Sequence, residues 1–213
     1  MTALTAWLPF VNIKNAPRLM VLDAIRMAAR EFCAETLVWQ CNQDPMTVYV
    51  GEGEYAFEPP TGAEVVQAMR GWFNGAPIEP KSQDELDQIY RGSNWLTATG
   101  SPRYIVNLSR DYINLVPIPD EKVVSGLTLR IALQPTQDAT VIDALLFERH
   151  REAIALGAKA KLKLMSEQPF FDAKGGALDN GLFMNKIADE RIRGWRGHGS
   201  TNMTARNPFG KFA

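Results

Sequence analysis

The first regular pattern of apolar and polar positions follows Asn15-Ala-Pro17. Leu22, Ile25, Ala29 and Phe32 recur at three- and four-residue steps, while Arg26, Arg30, Glu31 and Glu35 take the other face. That spacing predicts an amphipathic helix ending near Leu37, with Asn15 as its N-cap and Pro17 in the first turn, where a missing N–H is harmless. From Pro45 the period shortens to two. Thr47 to Val50 reads as a strand, Gly51-Glu-Gly53 as a turn, and Tyr55 to Phe57 as a second strand ended by Pro59-Pro60. Val65 to Phe73 is apolar and aromatic and meets Asn74-Gly75, a strong hairpin signal, with Ala76 to Ile78 as the returning strand. Ser82-Gln-Asp-Glu85 fits a capping box before a short helix, Asp84 to Tyr90.

A polar loop, Arg91 to Ser101, precedes more strands. Arg103 to Leu108 and Tyr112 to Val116 flank Ser109-Arg-Asp111 as a second hairpin. Leu127, Leu129, Ile131 and Leu133 then alternate with Thr128, Arg130 and Ala132, the mark of a strand apolar on one face, until Pro135 stops it. The last third turns helical. Val141 to Met165 carries Phe147, Ile154, Ala158 and Leu162 at helical spacing. Gly157 in its middle sacrifices about 1 kcal/mol of helix propensity, and the expected return is close approach of a neighbouring helix. Pro169 breaks this helix. Asp172 caps the next, whose stripe is Ala177, Phe183 and Ile187 and which ends near Arg193.

A lone first helix and a terminal helix pair each leave an apolar face uncovered, so the economical solution packs them together. The expected class is α+β. Residues 1–44 and 136–193 form a discontinuous helical bundle, residues 45–135 an inserted antiparallel β lobe, and residues 194–213 an extended C-terminal arm.

Composition narrows the function classes. Hydrophobic residues make up 46% and charged residues 22%, which rules out wholesale disorder. The formal net charge of -1 argues against a broad nucleic-acid grip and leaves room only for a local basic patch. Cys33 and Cys41 are too few for a disulfide framework and have no second pair to complete a metal site, so they read as free thiols in a reducing cytoplasm. Met1 to Phe10 lacks the features of a secretory signal, and no stretch approaches the roughly 20 apolar residues of a membrane helix. A soluble protein is expected.

The search for chemistry finds little. His150 lies within Glu148-Arg-His-Arg-Glu152 and His198 in a glycine-rich tail, and neither has a ligand partner at the spacing zinc requires. There is no G-x-S-x-G elbow, P-loop or dinucleotide fingerprint. Asp84, Glu85, Asp87, Asp189 and Glu190 are accounted for by helix ends and solvated faces. No catalytic, cofactor-binding or metal residue is expected.

The basic residues divide into two groups. Lys159, Lys161 and Lys163 alternate and spread around a helix, whereas Arg191, Arg193 and Arg196 gather at a helix end, where positive charge suits the macrodipole. Beyond them the tail sets Trp195, Phe209 and Phe212 among Arg196, Arg206 and Lys211, without periodicity. One reading is a frayed terminus. The other is an arm that orders on a neighbour or partner, with the aromatics as anchors. The candidate interaction residues are therefore Arg191, Arg193, Trp195, Arg196, Arg206, Phe209, Lys211 and Phe212.

Several segments, in order, resemble the head–tail adaptor proteins of short-tailed and related phages, the connectors of the tail tubular protein A type. They are Asp23-Ala-Ile-Arg26, Ala29-Arg-Glu-Phe-Cys33, Gly51-x-Gly-x-Tyr55, Asp84-Glu-Leu-Asp87 ahead of Trp95, and Gly100-Ser-Pro-Arg-Tyr104. Leu115-Val-Pro-Ile-Pro119, Leu127-Thr-Leu-Arg-Ile131 and Gly157-Ala-Lys-Ala-Lys-Leu162 before Pro169 complete the set. The likeness spans residues 15–190.

The resemblance implies a non-enzymatic virion protein at the head–tail junction, made in the host cytoplasm. It implies a ring of copies, usually a dodecamer, seated under the portal protein and presenting a platform to a tail or nozzle protein. Double-stranded DNA would pass through the lumen, with no membrane partner and no cofactor. Three other readings stay open on the residues alone. They are another virion component such as a tail-tube or tail-completion protein, a DNA-binding module, and an enzyme whose small-ligand site is assembled from distant residues.

Overall fold

The structure is a computed structural model that describes residues 1–91, 93–109 and 111–196, the last three of these as backbone only. It is a mixed α+β fold with four α-helices, a 3-10 segment and a curled sheet among the described residues.

Helix α1 (Arg18–Thr36) begins two residues later than the Asn15 cap predicts. Asn15 adopts a left-handed φ of 66°, and Pro17 takes the N-cap position without a side-chain bond. Leu37, also left-handed, ends the helix by donating its N–H to the Cys33 carbonyl at 2.9 Å. The expected stripe faces inward: Ile25, Ala29 and Phe32 are fully buried.

The main sheet has the order β2-β9-β5-β6-β7-β8-β4, with β3 also paired to β9. Its strands are β2 (Gln40–Asn42), β3 (Met46–Val48), β4 (Glu54–Ala56), β5 (Ala63–Phe73), β6 (Ala76–Pro80), β7 (Tyr104–Val106), β8 (Tyr112–Val116) and β9 (Val123–Pro135). The Asn74-Gly75 hairpin joins β5 to β6 as predicted, and β7 and β8 pair with Tyr104 opposite Val116.

The sheet departs from the expected antiparallel pattern at one pair. Strands β6 and β7 run parallel, Glu79 opposite Tyr104. The 23 residues between them hold helix α2 (Gln83–Tyr90), and a crossover of that length returns the chain in the same direction where a hairpin cannot. The predicted strands on either side of Gly51-Glu-Gly53 also separate: β3 pairs with β9 and β4 with β8. On β9, Leu127, Leu129, Ile131 and Leu133 are fully buried as the alternation requires, but so is Ala132 on the other face. Strands β2 and β5 flank Ala132 on both sides, opposite it at Gln40 and Gln67.

Helix α2 carries the predicted capping box. Ser82 Oγ accepts from the Glu85 N–H at 3.2 Å, and the Ser82 N–H donates to the Glu85 carboxylate at 2.8 Å. Leu86, Trp95, Val106 and Val116 form a small core beneath it, where Trp95 Nε1 donates to Asp87 at 2.7 Å.

Helices α3 (Ala144–Lys163) and α4 (Ala173–Arg196) close the described chain. Asp143 caps α3 by accepting from the Leu145 N–H, and the Asp172 carboxylate accepts from the Gly175 N–H. Phe183 and Ile187 of α4 are buried, whereas Ala177 is exposed and not part of the stripe.

The first ten residues hold structure that the apolar pattern did not reveal. Strand β1 (Thr2–Ala3) pairs with β10 (Val141–Ile142), and residues Leu4–Phe10 form the 3-10 segment. Trp7 is fully buried there, its ring 4.8 Å from that of Phe147 in edge contact. One continuous cluster of buried side chains runs from Trp7 through α1, α3 and α4 into β5 and β9.

Candidate interaction site

The polar face of α1 is clasped rather than solvated. Arg26 Nε donates to the Ala139 carbonyl at 2.9 Å. Arg30 donates to the Pro135 carbonyl and pairs with Glu64 of β5 at 2.8 Å, and Gln134 of β9 reaches the same carboxylate. Glu31 pairs with Lys161 at 2.5 Å, and Lys163 with Asp179 at 2.9 Å. Two of the three alternating lysines thus join helices instead of facing a partner.

Two of the candidate interaction residues have described side chains. Arg191 Nε donates to the Glu35 carbonyl at 2.7 Å, and its guanidinium also meets the Glu35 carboxylate. It therefore sits at the C-terminus of α1, where the partial negative charge of the helix end favours a cation. Arg193 pairs with Glu190 at 2.8 Å. Trp195 and Arg196 continue α4 in the backbone, and Arg206, Phe209, Lys211 and Phe212 lie outside the described residues.

Beside Arg193 opens a cleft of about 820 Å³. Helices α3 and α4 wall one side and β2, β5 and β9 the other. It is lined by Arg70 of β5, Arg130 of β9, Arg149 of α3 and Arg193 of α4, with His150, Glu190 and the apolar side chains of Leu37, Val38, Met69 and Leu145. Arg130 donates to Asn42 Oδ1 at 3.0 Å and lies 6.0 Å from the Trp72 ring. His150 Nδ1 is 4.0 Å from Glu190, and its ring tilts against Phe32 at 5.1 Å. Burial pulls the His150 pKa below its ordinary value. Glu190 opposes that shift, while Arg149 and Arg193 add to it.

Sequence reasoning did not single out Arg70, Arg130 or Arg149. A signal was present for two of them: each is the one charged residue in an otherwise uncharged strand segment, Val65 to Phe73 and Leu127 to Gln134. The cysteines lie elsewhere. Cys33 is fully buried, and burial raises its thiol pKa far above the ordinary range, so it is not a ready nucleophile.

The sequence matches the profile of the SU10 adaptor protein family over residues 1–206. The chain belongs to that family. No curated protein matches it. The family is a phage adaptor family, as the resemblance across residues 15–190 implied, and the match extends over both the first fourteen residues and most of the tail. The inclusion of the N-terminus agrees with the burial of Trp7 and the β1–β10 pair. Neither is a loose end on this fold.

Proposed function

We propose that this protein is a structural head–tail adaptor of a tailed phage. Copies assemble as a ring, a dodecamer in the usual form, beneath the portal protein, and the ring receives the tail or nozzle protein on its other side. Double-stranded DNA passes through the lumen during ejection. The observation that carries this reading is membership of the SU10 adaptor protein family along nearly the whole chain.

The architecture supports the same role. Segments 1–44 and 136–193, which hold α1, α3 and α4, and the β-rich segment 45–135 share one core, which suits a subunit that transmits load as a single body. Ion pairs tie α1 to α3, α4 and β5, so the helices hold the sheet at fixed orientation. The segment 194–213, whose first three residues are the end of α4, serves as an arm that docks on a neighbour or on the portal, with Trp195, Phe209 and Phe212 as anchors and its basic residues as the charged rim. The role is structural and not catalytic; burial raises the Cys33 thiol pKa and so disfavours the thiolate a nucleophile needs.

Mass measurement of the purified protein with and without a portal ring tests the proposal. Capture at the portal's copy number is the expected result. A particle map that puts the protein in the tail tube would favour the tail-completion reading instead.

A further inference from the structure

The arginine cleft has a property that the fold alone does not require. Arg70 and Arg130 stand directly opposite each other on adjacent strands β5 and β9. Like charges in cross-strand register are destabilising, so the pair is a cost to the isolated sheet. Arg149 and Arg193 approach the same space from α3 and α4. Four elements distant in sequence thus each contribute an arginine to the lining of one cleft.

The cleft holds little to neutralise them. Arg193 has Glu190, and Arg130 has the neutral Asn42 and the Trp72 ring. Among the described residues neither Arg70 nor Arg149 has an ion-pair partner. With His150 uncharged, the lining carries three positive charges in excess.

We propose that this cleft is the docking site for an acidic segment of another polypeptide chain. Guanidinium forks match carboxylates in bidentate geometry. A volume of about 820 Å³ holds a few side chains. A DNA duplex presents its phosphates on a convex surface and is gripped along a basic face, which a near-neutral chain with a recessed charge cluster does not offer. An adjoining groove of about 480 Å³, lined by Leu37, Met69 and Ile192 beside the paired Arg191 and Glu35, shares residues with the cleft and gives the segment an apolar foothold beside its carboxylates. The chain's own residues 197–213 contain Arg206, Lys211 and no acidic side chain, so they do not supply the charge. The proposal does not depend on ring formation.

The test uses the full chain and three labelled probes in fluorescence anisotropy. They are a peptide of Glu-Leu-Asp-Gly repeats, the same peptide with lysine in place of each acid, and a DNA duplex of two helical turns. Saturable binding of the acidic peptide alone, weakening with salt, is expected. The double variant R70E/R149E should weaken it by at least about tenfold, while K174E, an exposed change outside the cleft, should leave it unaltered. Both sites of the double variant are exposed, and a thermal midpoint no lower than that of the native chain confirms that it folds. Absence of acidic-peptide binding would overturn the proposal, as would binding that the double variant does not weaken. Duplex binding lost in the same variant would assign the cleft to nucleic acid instead.

Discussion

The ring of Phe183 lies over Gly157 so closely that a Cβ on the glycine would stand 2.9 Å from it and 3.0 Å from the Cβ of Ala28. One position therefore sets the spacing of α1, α3 and α4. Gly157→Ala gains helix propensity of about 1 kcal/mol but forces the aromatic ring or α1 to shift, at about 1–3 kcal/mol. The net expectation is a lower urea midpoint, lower still for Gly157→Val. Phe183→Leu in the same chain should recover part of the loss, because it withdraws the atoms that collide.

Arg30 and Glu64 couple α1 to the sheet. Their side chains retain 19% and 36% exposure, so water screens the pair only in part. Arg30→Ala also takes one donor from the Pro135 carbonyl and one from the Glu64 carboxylate, which keeps Gln134, and should cost about 1–2 kcal/mol. Asp23→Ala, which breaks an exposed pair within α1, should stay within about 0.5 kcal/mol. Equal effects in chemical denaturation would remove Arg30 from any special role.

Much of this core was legible in the chain. Ile25, Ala29 and Phe32 on α1, and Leu127, Leu129, Ile131 and Leu133 on β9, announce their buried faces by period alone. Gly157 announced a close contact because an interior glycine needs a reason. The parallel β6–β7 pair was not legible, since strand direction depends on how the crossover through α2 docks. Nor were the contacts of Arg26, Arg30 and Glu31, because a polar helix face looks the same whether water or another element covers it. The cleft is the extreme case: Arg70 and Arg130 stand out as lone charges in their strands and Arg193 at a helix end, but the meeting of these three with Arg149 arises only through tertiary structure.

The two cysteines should report burial directly. Cys33 is fully buried and its thiol pKa is raised, chiefly by burial. Cys41 is half-buried and its pKa is raised less severely by the same cause. A thiol reagent at pH 8 should modify at most one cysteine in the native protein, slowly, and both after unfolding. Mass spectrometry would identify the site; rapid native labelling of Cys33 would contradict the packing of α1.

His150 should make stability sensitive to mild acid. Its folded pKa is depressed by burial, against the opposing pull of Glu190, so the unfolded chain binds the proton more readily. Stability rises with pH wherever the unfolded state holds more protons. The His150 contribution is therefore complete above its unfolded value of about 6.5, and is lost as pH falls from there toward the depressed folded value. His150→Gln should flatten that part of the stability–pH curve measured by denaturant titration. An unchanged slope would mean that other groups carry it.

Arg70 and Arg130 give a prediction in which stability and binding move in opposite directions. Replacing Arg70 by Thr suits a strand and removes the like charge opposite Arg130. The free protein should become more stable by about 0.2–1 kcal/mol. If the repulsion is tolerated for the sake of docking, the same substitution should weaken capture of the acidic peptide. A polyanionic ligand should correspondingly raise the thermal midpoint of the native protein more than that of R70T, since only binding to the folded state stabilises it. A variant both less stable and fully binding-competent would show that the Arg70 side chain packs usefully on the sheet and plays no part in recognition.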